Sequence, residues 1–99
     1  MLNYFLSNKA VEDLSKIWDY TYDTWSENQA DTYYNRLINF CKDISDNPKI
    51  GKNYNEIDPT ILGYHANHHI IFYRITTENK IEIVRILHEN MDLKNRIRE

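Results

Sequence analysis

The sequence contains very little cysteine, glycine or proline. Cys41 is the only cysteine among 99 residues, so an internal disulfide cannot form, and nothing points to an oxidising compartment. Two glycines and two prolines argue against a disordered or loop-rich chain. These absences predict one ordered domain over residues 1–99.

Long apolar runs and a strong charge of one sign are also missing. No stretch approaches the roughly 20 apolar residues of a membrane-spanning helix. The N-terminus lacks the basic start and apolar centre of a signal peptide, so we expect a cytoplasmic protein with no membrane partner. The formal net charge of −3 argues against a surface that is basic throughout. Direct sequence-specific binding of nucleic acid is therefore not expected.

The common catalytic signatures are absent as well. The chain has no Gly-rich phosphate loop, no Ser/His/Asp set and no carboxylate pair with a clear role, so neither a catalytic residue nor a cofactor is predicted. His65, His68 and His69 are close in sequence, but His68 and His69 are adjacent on a predicted strand and would point to opposite faces. We predict no metal site and interpret these histidines as turn and sheet-edge residues. His88 could act as a general acid or base, because histidine ordinarily titrates near neutrality, but a non-catalytic role is the favoured interpretation.

What the sequence does contain is a pair of runs dense in β-branched and aromatic residues. His69–Ile75 and Ile81–Leu87 flank a polar loop in which Asn79 can adopt a positive φ, which predicts a β-hairpin. Ile81, Ile83 and Leu87 are expected on one face, with Val84 and Ile86 on the other. Strands that are apolar on both faces are typical of the inside of a sheet that is covered on both sides.

The N-terminal half has the spacing of two amphipathic helices. Apolar side chains recur every three or four residues over 8–25 and again over 30–44. Ser26 and Gln29 lie between them with the spacing of a capping box, and Pro48 predicts an end near Asp46. A break this short predicts an antiparallel helical hairpin.

Shorter elements complete the predicted fold. Residues 2–6 and 61–66 have the composition of strands, and the basic tail 93–99 has room for one or two helical turns. The order β-α-α-β-β-β predicts an α+β fold, with the helical hairpin packed on one face of an antiparallel sheet and the first strand beside the C-terminal hairpin. The core expected between helices and sheet consists of Leu14, Ile17, Trp18, Leu37, Ile38, Ile71, Tyr73 and Ile83.

Some side chains exceed the needs of a core. Trp18 and Tyr20 belong to an aromatic-rich helix, and Tyr20 falls off its apolar stripe. Aromatic side chains with one solvated edge are favoured at protein interfaces, although a position at the core edge explains them equally well. Arg74 and Arg85, on neighbouring predicted strands, could bind phosphate together or simply lie at the surface.

Several segments resemble the ParE toxins of the RelE/ParE superfamily of bacterial toxin–antitoxin modules. The most specific similarity is His69-Ile70-Ile71-Phe72-Tyr73-Arg74, followed after a turn by Arg85-Ile86-Leu87-His88 and Met91-Asp92. Segments 10–18 and 46–51 and the pair Gly63-Tyr64 are similar too. Leu62 departs from the family pattern, because many relatives carry arginine before the Gly–aromatic pair.

The resemblance implies a toxin that poisons DNA gyrase and is neutralised by a ParD-like antitoxin, whose flexible, apolar and acidic segment wraps over it. It implies a protein inhibitor of a topoisomerase rather than an enzyme, and a homodimer is a further candidate assembly. The candidate contacts with target or antitoxin are Arg74, Arg85, His88, Met91, Asp92, Lys94 and Arg96, together with Trp18 and Tyr20. For Asp92, a structural role as the cap of the tail helix explains the residue equally well.

Two alternatives stay open. One is a RelE-type ribosome-dependent mRNA endonuclease, which is disfavoured by the negative net charge and by the loop before the hairpin, whose basic residues are only Lys49 and Lys52. The other is a non-toxic homologue that binds an antitoxin, which the departure at Leu62 keeps open.

Overall fold

The computed structural model describes residues 3–98, so the predicted strand residue Leu2 and the tail residue Glu99 lie outside the described part. The elements in chain order are β1 Tyr4–Leu6, α1 Asn8–Thr24, α2 Glu27–Asp46, a 3-10 turn Pro48–Ile50, β2 Lys52–Asn53, β3 Leu62–Ala66, β4 His69–Ile75, β5 Ile81–His88 and α3 Leu93–Ile97. The strand order in the sheet is β1-β5-β4-β3-β2. The α+β class and the inner position of the β4–β5 hairpin are therefore confirmed.

The sheet is mixed, and the prediction of an antiparallel sheet was wrong at its first strand. β1 runs parallel to β5, with Tyr4 opposite Ile81 and Leu6 opposite Ile83, whereas the other neighbouring strands are antiparallel. The chain leaves β1 at Ser7, whose N–H donates to the Ile83 carbonyl, and turns at once into α1. This direct turn fixes the direction of β1. The two-residue strand β2 was absent from the predicted order.

Serine caps begin both long helices. The Ser7 hydroxyl accepts a hydrogen bond from the Ala10 N–H at 3.0 Å, and the Ser26 hydroxyl accepts one from the Gln29 N–H at 3.1 Å. α1 ends at Thr24, one residue earlier than predicted, and α2 ends at Asp46 as predicted. Asn79 has a φ of 60°, which confirms the expectation for the hairpin loop.

Both faces of the sheet are covered. The first core lies between the helical hairpin and the sheet, and the second core lies on the opposite face, where Tyr54, Ile61, Ile70, Phe72 and Leu87 are buried with Ile57, Leu93 and Ile97 against them. Trp18 was predicted to belong to the first core, but it lies outside that core. Its indole N–H donates to Asp31 at 3.0 Å, and its ring stacks on Tyr22.

A β-bulge changes the predicted faces of β5. Tyr73 lies opposite Ile83 and Phe72 opposite Arg85, so Val84 is an extra residue on β5. The alternation shifts by one position after it. Ile86 therefore joins the first core and Leu87 the second, which is the reverse of the prediction for these two residues.

Candidate functional site

An open groove lies between α1 and the outer edge of β5. β1 pairs with β5 only from Ile81 to Ile83, so the remainder of that edge has no neighbouring strand in the described part of the chain. A cavity of about 770 Å³ opens there, and we call it the groove. Its lining comes from α1 and the residue after it, α2, the β3–β4 turn, β4, β5, the segment after β5 and α3. A short first strand beside a long last strand therefore creates a concave surface.

A buried ion pair forms part of the groove wall. Arg85 donates from Nε to Asp13 Oδ2 at 2.8 Å and from Nη2 to Asp13 Oδ1 at 2.9 Å, and the Ile86 N–H donates to the same carboxylate at 3.0 Å. Arg85 also donates from Nη1 to the carbonyl of Arg96 in α3. The carboxylate thus occupies the backbone edge that β1 does not reach, and it ties α1 to β5.

Exposed aromatic and apolar side chains give the groove its binding character. Tyr20 is 68% exposed, Trp25 72% and Met91 41%, and all three line the groove. Ile17 and Leu87 line it as well. Large aromatic side chains that are exposed in the free protein are common anchors at protein interfaces.

The groove is lined by more basic than acidic side chains, and its carboxylate is paired with an arginine. The lysine, arginine and histidine residues that line it are Lys16, His68, His69, Arg85, His88 and Arg96. Asp13 is the one carboxylate among the lining residues described, and Arg85 neutralises it. This balance favours a ligand that carries negative charge as well as apolar side chains.

All four histidines gather at one end of the groove. Glu89 accepts hydrogen bonds from His65 Nε2 at 2.7 Å and from His68 Nδ1 at 3.1 Å. The rings of His68 and His88 are stacked with centroids 6.4 Å apart, and His69 meets His88 edge-on at 5.3 Å. We call these five residues the histidine cluster. His65, on the far side of Glu89, does not line the groove.

Two members of the histidine cluster have shifted pKa values. Hydrogen bonds from His68 and His65 lower the pKa of Glu89, so this carboxylate stays ionised. Burial lowers the pKa of His69 to about 4, and the neighbouring His88 and His68 add to the effect. His69 and the Tyr33 hydroxyl share a hydrogen bond of 2.6 Å. His69 is therefore neutral near pH 7.

The structure brings several of the predicted contact residues together. Tyr20, Arg85, His88, Met91 and Arg96 all line the groove. Arg85 was expected to lie at the surface or to reach a partner, but only 7% of it is exposed and its guanidinium contacts Asp13. It supports the groove from within.

The other predicted contact residues lie outside the groove. Arg74 Nε is 3.2 Å from Glu82 Oε1 on the neighbouring strand, within ion-pair distance but without hydrogen-bond alignment. Asp92 is the N-cap of α3 and accepts from the Asn95 N–H, which is the structural role considered for it. Lys94 is exposed on α3, and Trp18 packs beside Tyr22. Arg74 and Arg85 do not form a common phosphate site.

Other groove residues were not predicted. α1 contributes Asp13 and Lys16, and Trp25 follows it directly. The start of the hairpin contributes His68 and His69. The excess of aromatic residues on α1 was the signal for Trp25. An acidic residue on the apolar stripe of an amphipathic helix was the signal for Asp13, because such a carboxylate needs a buried partner.

The described residues contain neither a candidate metal-binding group nor a candidate membrane-spanning helix. Within residues 3–98, no group of three or more histidine, cysteine, aspartate or glutamate side chains could hold a metal ion. The helices of this part are also too short or too polar to cross a membrane.

The sequence of the chain is similar to that of a known protein family and of individual proteins. Residues 4–93 match the family model described as ParE toxin of type II toxin-antitoxin system, parDE. The protein named Toxin ParE1 from Mycobacterium tuberculosis is 41% identical over 90 residues, which cover 91% of this chain and 92% of that protein.

Solved structures share the fold at low sequence identity. A structure described as the chromosomal ParDE toxin–antitoxin system from P. aeruginosa matches with a TM-score of 0.77 at 18% identity, covering 89% of this chain and 96% of that one. The toxin–antitoxin complex RelBE2 from Mycobacterium tuberculosis matches with a TM-score of 0.69 at 19% identity, covering 89% and 98%. Both likenesses concern the fold.

Proposed function

The chain belongs to the ParE toxin family of type II toxin–antitoxin systems, and from this membership we propose that it poisons DNA gyrase and is neutralised by a ParD-like antitoxin bound in the groove. On this proposal the protein acts in the cytoplasm as an inhibitor of a topoisomerase and not as an enzyme. The antitoxin would contribute an amphipathic segment with apolar and acidic side chains.

The observation that carries the proposal is that the groove combines exposed aromatic side chains with more basic than acidic side chains. Tyr20, Trp25 and Met91 offer apolar contact area that solvent would otherwise cover. Lys16 lines the same wall, and the nearby Asp13 is already neutralised. An acidic amphipathic segment complements both properties, because apolar groove contacts supply affinity and opposite charge supplies orientation.

Antitoxin binding is tested at Trp25. Trp25→Ala should weaken binding of the protein encoded by the adjoining reading frame by about 2 kcal/mol, or roughly thirtyfold in Kd, as for an aromatic interface anchor. Tyr22→Ala is a matched control, since Tyr22 is an exposed aromatic residue of α1 that does not line the groove. Calorimetric titration of both variants gives the comparison. Equal losses in the two variants would place the antitoxin elsewhere.

Gyrase poisoning is tested with purified protein, gyrase, ATP and supercoiled plasmid. We expect cleaved plasmid to accumulate after detergent and protease treatment, because a poison stalls the enzyme on cleaved DNA. Lys94→Glu should reduce this trapping about tenfold, whereas Lys42→Glu, which reverses an exposed lysine on α2, should leave it unchanged. Arg85→Ala is unsuitable for this purpose, because its burial couples it to the fold.

A RelE-type mRNA endonuclease is the second candidate function. The fold likeness to the RelBE2 complex and the presence of His88, Lys16 and Arg96 in one groove favour it. Arg74 and Arg85, the arginines expected to bind phosphate, are instead paired with Glu82 and Asp13. Cleavage of mRNA on translating ribosomes without any effect on gyrase would establish this alternative. Tight antitoxin binding with neither activity would identify a non-toxic homologue.

A further inference from the structure

We propose that His68 and His88 form a carboxylate-binding end of the groove, which holds an aspartate or glutamate side chain of the antitoxin and binds it more tightly as the pH falls. This inference rests on the proposed antitoxin binding and specifies how one end of the groove recognises it. The two rings line the groove, and so does His69, but the Nδ1 of His69 is already engaged by the Tyr33 hydroxyl.

The hydrogen bonds of the two rings leave one nitrogen of each available. His68 donates from Nδ1 to Glu89, and His88 accepts at Nδ1 from the Asn90 N–H at 3.1 Å. Within residues 3–98, neither Nε2 atom has a hydrogen-bond partner. Because its Nδ1 is an acceptor, neutral His88 carries its proton on Nε2, where it can donate to a ligand oxygen. His68 needs a second proton before its Nε2 can donate.

The surrounding charges decide the direction of the pH effect. The groups around the two rings are His65 on β3, His69 on β4, Tyr33 on α2 and Glu89 after β5, and the other charged residues that line the groove are Asp13, Lys16, Arg85 and Arg96. Glu89 bridges His65 and His68, and Asp13 is paired with Arg85, so both carboxylates are already engaged. A proton added to either ring therefore adds positive charge to a wall that lacks an uncommitted carboxylate.

A bound carboxylate reduces the electrostatic repulsion between the two rings when both are protonated. Two imidazolium rings with centroids 6.4 Å apart repel each other, and an anion that contacts both lowers this cost. Binding and protonation then favour each other by linkage. Histidine is the side chain that ordinarily gains charge between pH 8 and 5, so the effect falls in that range. Burial lowers the pKa of His69 to about 4, which keeps that ring neutral there.

The test measures antitoxin affinity against pH. Calorimetric titration of this chain with the protein encoded by the adjoining reading frame should give a Kd that falls about tenfold from pH 7.5 to 5.5, because protonated rings bind a carboxylate more tightly. The variant His68→Gln/His88→Gln should change less than about twofold over the same range. His65→Gln should keep the tenfold change, because this residue belongs to the histidine cluster but does not line the groove.

Proton uptake gives an independent readout. Titrations at pH 6.5 in buffers of different ionisation enthalpy should show net uptake of protons on binding by the wild type and none by the double variant. Thermal unfolding at pH 7.5 checks that the variants are folded. A flat affinity profile of the wild type, or an unchanged slope in the double variant, overturns the carboxylate site while leaving antitoxin binding intact. An absence of binding at every pH overturns the proposed function and this inference together.

Discussion

Asp13 and Arg85, 72 positions apart in the chain, form a two-point ion pair inside the protein, with distances of 2.8 and 2.9 Å. Their exposed fractions are 8% and 7%. The same carboxylate accepts the Ile86 N–H at 3.0 Å, on the part of β5 that β1 does not cover. One side chain of α1 therefore replaces a strand partner at the sheet edge, and this contact fixes the position of α1 beside the groove.

Removal of the arginine should destabilise the fold strongly. Arg85→Ala leaves the Asp13 carboxylate buried without a cation, so the free energy of unfolding should fall by about 3–5 kcal/mol. Arg74→Ala is the matched control, because Arg74 pairs with Glu82 between β4 and β5 where both side chains are partly exposed, and this pair should contribute less than about 1 kcal/mol. Urea unfolding at pH 7 measures both. Similar losses in the two variants would contradict the special role of the buried pair.

Local sequence patterns predicted the elements whose signals are local. The serine cap at Ser26, the end of α2 before Pro48 and the positive φ of Asn79 depend on neighbouring residues. The inner position of β4 and β5 followed from their apolar residues on both faces. These features are encoded within a few positions of the chain, so they can be read without knowledge of the fold.

Features that depend on distant partners were not predicted. The parallel direction of β1 depends on how the chain turns from Leu6 into α1, and the bulge at Val84 depends on the register of β4 against β5. The groove depends on both, since it lies where β1 stops. The partner of Asp13 could not be chosen from the sequence, because several cations were equally available to it.

The first core should be sensitive to truncation at Leu37. This α2 side chain is fully buried between the helices and the sheet. Leu37→Ala removes apolar contacts and leaves a cavity, so the free energy of unfolding should fall by about 2–5 kcal/mol. Val11→Ala on α1 is the control, since Val11 is 48% exposed and should change stability by less than about 0.5 kcal/mol. Unchanged melting of Leu37→Ala would place α2 on a different face.

Gly63 should resist substitution because the ring of Tyr54 occupies the space of its missing side chain. A Cβ at this position of β3 would overlap Tyr54, which is itself packed edge-on against Phe72 with centroids 5.1 Å apart. Gly63→Ala should therefore cost about 1–3 kcal/mol of stability. Tyr54→Leu removes the obstructing ring, so the double variant should lose less than the sum of the single losses. Strict additivity in denaturant unfolding would show that the ring moves aside freely.

Stability should fall in mild acid because His69 is held neutral. Burial lowers its pKa from the ordinary 6.5 to about 4, so below pH 6.5 the unfolded chain binds a proton that the folded protein does not. Stability is therefore complete above pH 6.5 and is lost as the pH falls towards 4, by about 2 kcal/mol at pH 4.5. His69→Gln removes the titrating ring. Urea unfolding of wild type and variant at pH 7 and 4.5 isolates the effect, because the two proteins differ only in this ring. An equal loss of stability in the two proteins between these pH values would mean that His69 gains its proton freely in the fold.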